Sequence, residues 1–307
     1  MFSYYKLPKS YPIAKTTKSH RTVYFLPDVN VNESKLKEHV VERFSNKSFE
    51  EISAFVKDPI VFKELRLVDD DEFRVVPSDK RMAISVIGNS GSGKSIWASN
   101  MIKDYHTQFP DNEVFLLSNK LANEDPAFED MDYITYIDVN ELTEPIKTNK
   151  FENCLFVFDD LLEGVILDSD SEFVQSLEQE SYSKQQRIIK ERQKQLDMIA
   201  NKSVENILAL GRARNISILI VKHQFRDGKS SLLKTENTGL VSFPAGNSNK
   251  LREYLKTVEC LGKQQINKIF SMKESKGTYQ FVYLSRHGLR YCISNKNVVS
   301  IDIDEDA

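Results

Sequence analysis

The residues best suited to chemistry form one short run, Gly88-Asn89-Ser90-Gly91-Ser92-Gly93-Lys94-Ser95. A phosphate chain needs inward-pointing backbone N–H groups and room for the backbone to come close. Gly88, Gly91 and Gly93 supply a permissive backbone without side-chain bulk. A helix beginning here adds unpaired N–H donors and the positive end of its dipole. Lys94 is expected to reach the β- and γ-phosphates of a nucleoside triphosphate, and the Ser95 hydroxyl to ligate Mg2+. The plain alternative, a glycine-rich turn, gives no reason for a lysine at the helix start.

A second cluster lies 65 positions after Lys94, where the apolar run Leu155-Phe156-Val157-Phe158 ends in Asp159-Asp160. In a parallel sheet, ligands gather at the C-terminal strand ends. Asp159 is expected to hold magnesium through its water shell, and Asp160 to polarise the attacking water. Glu163 is the alternative base, and turn-forming aspartates capping a strand are the alternative to both roles. The spacing leaves room for a further strand between the two motif strands.

A third candidate is the basic turn Gly211-Arg212-Ala213-Arg214-Asn215, which leads into Ile216-Ser217-Ile218-Leu219-Ile220-Val221 and then Lys222, His223 and Gln224. Gln224 is placed to sense the γ-phosphate or orient water. Arg212 or Arg214 is expected to stabilise transition-state charge from a neighbouring subunit. Surface charge is the competing reading for both arginines. His223 has no visible metal partner and reads as structural or as a polyanion contact.

These residues need a scaffold. MAISVIG before the loop is a β-branched run of buried-strand type, and SIWASNMIKDYHTQF after it repeats apolar residues every three to four positions. EVFLLSN, ITYID, CLFVFDD and ISILIV add four strand candidates. Strands alternating with helices indicate an α/β fold, a three-layer sandwich with a mainly parallel sheet. Residues 81–240 are assigned to this core, with a polar helical insertion near 168–204. Residues 1–80 read as a lead-in packed on the core, with a helical stretch ESKLKEHVVERF and a turn-then-strand VDDDEFRVV. Residues 1–21 read as a basic arm, either solvated or in contact with phosphate backbone or a neighbouring subunit. Residues 241–307 read as an extension of one or two helices, a β-hairpin around Arg286-His287-Gly288, and an acidic tail.

Bulk properties narrow the setting. The chain has 307 residues, 40% hydrophobic and 28% charged, with a net charge of −3. That composition suits a globular protein with a real core, and any polyanion site must be a local patch. Three widely separated cysteines, Cys154, Cys260 and Cys292, argue against a disulfide scaffold or a structural zinc site and for a reducing, intracellular setting. No apolar run is long enough to span a bilayer.

Taken together, GNSGSGKS, LFVFDD, GRARNISILIVKHQ and LVSFPAGNSNKLREYL resemble the FtsK/HerA superfamily of P-loop ATPases. Within it they look most like the genome-packaging ATPases of large double-stranded DNA viruses. The resemblance covers about residues 80–260, and the turn GR-x-R-N-I-S with a strand ending in Gln is its most specific part. It implies the additional-strand, RecA-like branch and an ATP-driven, magnesium-dependent motor that moves double-stranded DNA. It further implies a homo-oligomeric ring docked on a capsid or portal-like protein. By position Lys94 and Ser95 match the family's phosphate and magnesium residues, Asp159 its metal acid, Arg212 its arginine finger and Gln224 its sensor. Asp160 stands where many relatives carry Glu. A translocase must grip backbone without reading sequence, and Lys222, Arg226, Lys229, Lys234 and the basic residues of 184–194 are the candidates.

Other classes remain open on sequence alone. A GTPase needs N-K-x-D, but Asn119-Lys120 is followed by Leu121-Ala122. A small-molecule kinase needs a lid and a substrate pocket. A non-catalytic assembly factor would keep Lys94 and tolerate loss of Asp160.

Overall fold

The computed structural model describes residues 2–4, 6, 10–25, 64–67, 71–78, 80–119, 125–161, 164–165, 167, 172–177, 179–223, 235–243, 248–272, 281–286 and 290–301. Contacts divide the chain into two compact units, Lys80–Asn237 and a second built from Met1–Asp79 with Thr238–Ala307. The two flanks of the core, read from sequence as a lead-in and an extension, share one unit.

In that flanking unit, β1 (Phe2–Ser3), β2 (Tyr11–Thr16), β3 (Thr22–Phe25), β4 (Glu64–Arg66) and β5 (Phe73–Val75) come first. β1, β3, β2 and β5 form an antiparallel sheet in that order. Residues 11–25 are therefore no solvated arm: Ile13, Ala14, Thr16, Val23 and Phe25 are buried. The turn between β2 and β3 is held by one carboxylate. Asp71 accepts from the Lys18 N–H at 2.7 Å, the Ser19 N–H at 3.0 Å and the Ser19 hydroxyl at 2.6 Å. The Thr17 hydroxyl and the Glu72 N–H complete the set. Burial opposes ionisation of Asp71, but these donors outweigh it and hold its carboxyl well below the usual range.

The core unit continues with β6 (Ala83–Ile87), α1 (Lys94–Gln108), β7 (Val114–Ser118), β8 (Ile134–Asp138), β9 (Leu155–Asp159), α2 (Glu172–Gln175), α3 (Tyr182–Leu210) and β10 (Ser217–Lys222). Its strands pair in parallel in the order β6, β10, β9, β7, β8. β10 is the strand expected between the two motif strands. From β6 to β7 the chain crosses the sheet in one direction, and from β9 to β10 in the other. Crossovers of the same right hand then put α1 and α3 on opposite faces, giving three layers. α1 packs on β6 and β10. Leu196, Ala200, Val204, Ile207 and Leu208 of α3 join Phe156, Phe158, Ile218 and Ile220 in one apolar cluster. Burying each of the larger side chains among these contributes roughly 2 kcal/mol relative to exposure.

α3 is a single 29-residue helix that runs six residues past the polar stretch expected to end near 204. Arg81 explains its end: its guanidinium donates to the carbonyls of Ile207, Leu208 and Ile216 at 2.9–3.0 Å. A cation at a helix C-terminus is favourable, and this one adds donors to two carbonyls of the helix's last turn. Burial lowers the pKa of Arg81, and the neighbouring Glu236 offsets part of that.

The flanking unit resumes with β11 (Gly239–Ser242), α4 (Ser248–Thr257), α5 (Lys263–Ser271), β12 (Val282–Ser285), β13 (Tyr291–Ser294) and β14 (Asn297–Ser300). The expected hairpin is β12 with β13. β14, which the sequence reading missed, pairs with β13 and with β4. Lys296 ties this region to β5 by donating to the Asp71 carbonyl at 2.7 Å. ESKLKEHVVERF and the acidic tail lie outside the described residues.

The folded-state pKa of Asp71 is depressed, so its contribution to stability is present above about pH 4 and is lost as pH falls towards the folded value. Asp71→Ala is expected to cost about 3 kcal/mol at pH 7. Thermal melts at a series of pH values should show the gap between parent and variant closing in acid; a pH-independent gap contradicts this account.

Candidate nucleotide site

The loop after β6 is shaped by its glycines. Gly91 and Gly93 have φ of 72° and 97°, left-handed values that other residues rarely adopt. Gly93 caps α1, whose first turn contains Lys94 and Ser95. Lys94 is only 5% exposed. Its ammonium donates to the Asn89 carbonyl at 3.0 Å, which closes the loop on itself.

β10 fastens both halves of the site. Its register sets Lys222 beside Ile87 and Val221 beside Asp159. The Lys222 carbonyl accepts from the Gly88 N–H at 3.2 Å, and the Val221 carbonyl from the Asp160 N–H at 3.1 Å. The loop and the paired carboxylates therefore leave the same sheet edge. Asp159 is buried at the end of β9. Asp160 turns the chain away with φ 57°, a left-handed conformation that Asp tolerates better than most residues. Backbone held this way is a recurrent feature of functional sites. Asn119, at the end of β7, supports that turn by donating to the Gly164 carbonyl at 2.9 Å and the Asp160 carbonyl at 3.4 Å.

His223 joins the two halves directly. Its Nδ1 lies 3.1 Å from Lys94 Nζ, and its Nε2 lies 2.9 Å from Asp160 Oδ2. Sequence reasoning left His223 as structural or polyanion-binding. The usable signal was that His223 and Asp160 both follow apolar strands, and it becomes decisive only once those strands are known to be neighbours.

The remaining candidates divide. Arg212 and Arg214 sit in a 3-10 turn, Gly211–Arg214, at the start of β10. Six residues of β10 at about 3.3 Å each put that turn roughly 20 Å from the chain's own Lys94 and Asp160. Arg212 is exposed and donates to Glu236 at 3.0 Å, a carboxylate it shares with Arg81 at 3.7 Å. Backbone demands explain two residues of the motif: a Cβ at Gly211 would meet Ile216 at 3.2 Å, and Asn215 adopts φ 53°. Lys222, a DNA-contact candidate from sequence, is 9% exposed at the end of β10. Gln224, Arg226, Lys229, Lys234 and Glu163 lie outside the described residues.

The donors suit magnesium. Ser95 and Asp159 are hard oxygen ligands, and Mg2+ commonly takes one or two carboxylates, water and substrate phosphates. Among the described residues no group of three or more His, Cys, Asp and Glu side chains is arranged to hold a metal unaided.

The strand order with its added strand, the glycine loop leading into α1 and the carboxylates on the facing edge decide the architecture. The core has the P-loop NTPase fold. No family model matches the chain, and no curated protein matches it. Solved structures do. The genome packaging NTPase B204 of Sulfolobus turreted icosahedral virus 2 is similar at 11% identity and TM-score 0.41, over 70% of this chain and 97% of its own. The pCW3 conjugation coupling protein TcpA is similar at 12% identity and TM-score 0.43, over 95% of this chain and 77% of its own. The cytoplasmic domain of the Thermomonospora curvata Type VII secretion ATPase EccC is similar at 13% identity and TM-score 0.40, over 73% and 26%.

Asp160→Asn keeps the shape of the P-loop core but removes the carboxylate facing the loop. Its turnover of Mg-ATP should fall at least about 100-fold, while affinity for a non-hydrolysable ATP analogue stays within about threefold. Turnover at the parent rate would contradict the role given to Asp160.

Proposed function

We propose that this protein is an ATP-hydrolysing motor that moves double-stranded DNA, working as a homo-oligomeric ring. We assign it the packaging of viral DNA into a capsid, with a capsid or portal-like protein as docking partner. The observation that carries the hydrolase reading is the meeting of Lys94, Asp159 and Asp160 at one edge of the parallel sheet, fastened by the last two carbonyls of β10. Lys94 offsets phosphate charge from the loop side. Ser95 and Asp159 hold magnesium, which when bound neutralises charge on the phosphates. Asp160 faces the same space and orients and deprotonates the attacking water.

Distance supports the ring. Arg212 is about 20 Å from its own site by the length of β10, so a finger role requires the site of a neighbouring copy. There it would offset charge that develops as the γ-phosphoryl group transfers. Glu236 holds the side chain until that contact forms.

The DNA reading rests on the motif resemblance and on the polar half of α3. Burial on that helix begins at Leu196, and Lys184, Arg187, Lys190 and Lys194 are exposed ahead of it. Lys184 and Arg187 pair with Glu180 and Glu191, four residues away, but such exposed pairs are worth little and exchange readily for phosphate. No helix among the described residues is long and apolar enough to cross a membrane.

The test is the steady-state ATPase rate with and without double-stranded DNA at two salt concentrations. The motor reading predicts stimulation that weakens as salt rises, because phosphate contacts release counterions. A rate indifferent to DNA at both salts contradicts it.

A further inference from the structure

The contacts of His223 set a direction. An ammonium has donors and no acceptor, so Lys94 must donate to Nδ1. The ring proton then lies on Nε2, which donates to Asp160 Oδ2. The result is one polarised chain from the phosphate-loop lysine to the proposed base. The other carboxylate oxygen, Asp160 Oδ1, is buried with no hydrogen-bond partner among the described residues. It is left to take a proton from water. Asp160 is further constrained by its left-handed backbone and by the Asn119 amide behind it, so the contact with His223 governs which way the carboxylate faces.

We propose that His223 is a positioning residue that couples occupancy of the phosphate loop to the orientation of Asp160. Through Nε2–H it fixes one carboxylate oxygen and leaves the other for water. Through Nδ1 it competes with the γ-phosphate for the Lys94 ammonium. A triphosphate entering the loop draws Lys94 away and breaks the Lys94–His223 bond. The His223–Asp160 pair, freed from the lysine, then turns as a unit toward the water beside the γ-phosphate. The same histidine thus weakens nucleotide binding and promotes turnover. This inference rests on the hydrolase reading above.

Two single-atom mimics separate the arms. His223→Gln keeps a donor near the position of Nε2 and removes the acceptor facing Lys94. His223→Asn keeps an acceptor near Nδ1 and removes the donor to Asp160. Affinity is read with a fluorescent non-hydrolysable ATP analogue without magnesium, and kcat from phosphate release with Mg-ATP. His223→Ala should bind the analogue up to about 10-fold more tightly, since a charge-assisted competitor is lost, and turn over roughly 100-fold more slowly. His223→Gln should share the tighter binding and retain most of kcat. His223→Asn should bind like the parent and lose kcat as Ala does. Gln and Asn variants that cannot be told apart in both readouts overturn the coupling, as does weaker binding in the Ala variant. The hydrolase reading fails separately, through absence of turnover in the parent, and the magnesium-free affinities still test the Lys94 arm in that case.

Discussion

Two backbone carbonyls at the end of β10 carry this site. One holds the first residue of the phosphate loop and the other holds Asp160. Both depend on β10 lying between β6 and β9 in parallel register. Shifting β10 by one residue would move its apolar side chains from one face to the other and misplace both carbonyls together. The apolar cluster under α3 and the Arg81 clamp at the end of that helix guard the register, because each uses residues at the start of β10. Packing on one face therefore sets hydrogen bonds at the edge, and the edge sets the distances between Lys94, His223 and Asp160.

The sheet also separates two kinds of charge. Its C-terminal edge gathers Lys94, Asp159, Asp160 and His223. Arg212 lies at the N-terminal end of β10, exposed, held by Glu236. Glu236 also balances Arg81, so the surface arginine and the buried one draw on the same carboxylate. Changes at Arg212 should therefore be felt at the α3 end as well as at any neighbouring site.

Much of the core was legible because its signals are local. β6, β7, β8, β9 and β10 are apolar runs with sharp polar ends, and glycine spacing and the following periodicity mark the loop and α1. The flanks were harder. β2 and β14 alternate weakly, and their burial depends in part on partners far away in the chain, so β2 read as part of an arm and β14 was missed. Lys222 read as a DNA-contact candidate, and position in sequence says nothing of its burial at a strand end flanked by neighbours. The contacts of His223 could not be read for the same reason: they exist only because strands separated by more than 50 positions lie side by side. The α3 boundary was misjudged because the clamp that ends the helix, Arg81, is more than 100 positions earlier.

The central claim is that this edge hydrolyses nucleotide as well as binding it. Phosphate released from ATP by the unmodified protein, followed with magnesium present and after chelation, tests it most directly. The account predicts release that continues well beyond one phosphate per chain with magnesium and stops on chelation. Tight ATP binding with no release beyond a stoichiometric burst would contradict it.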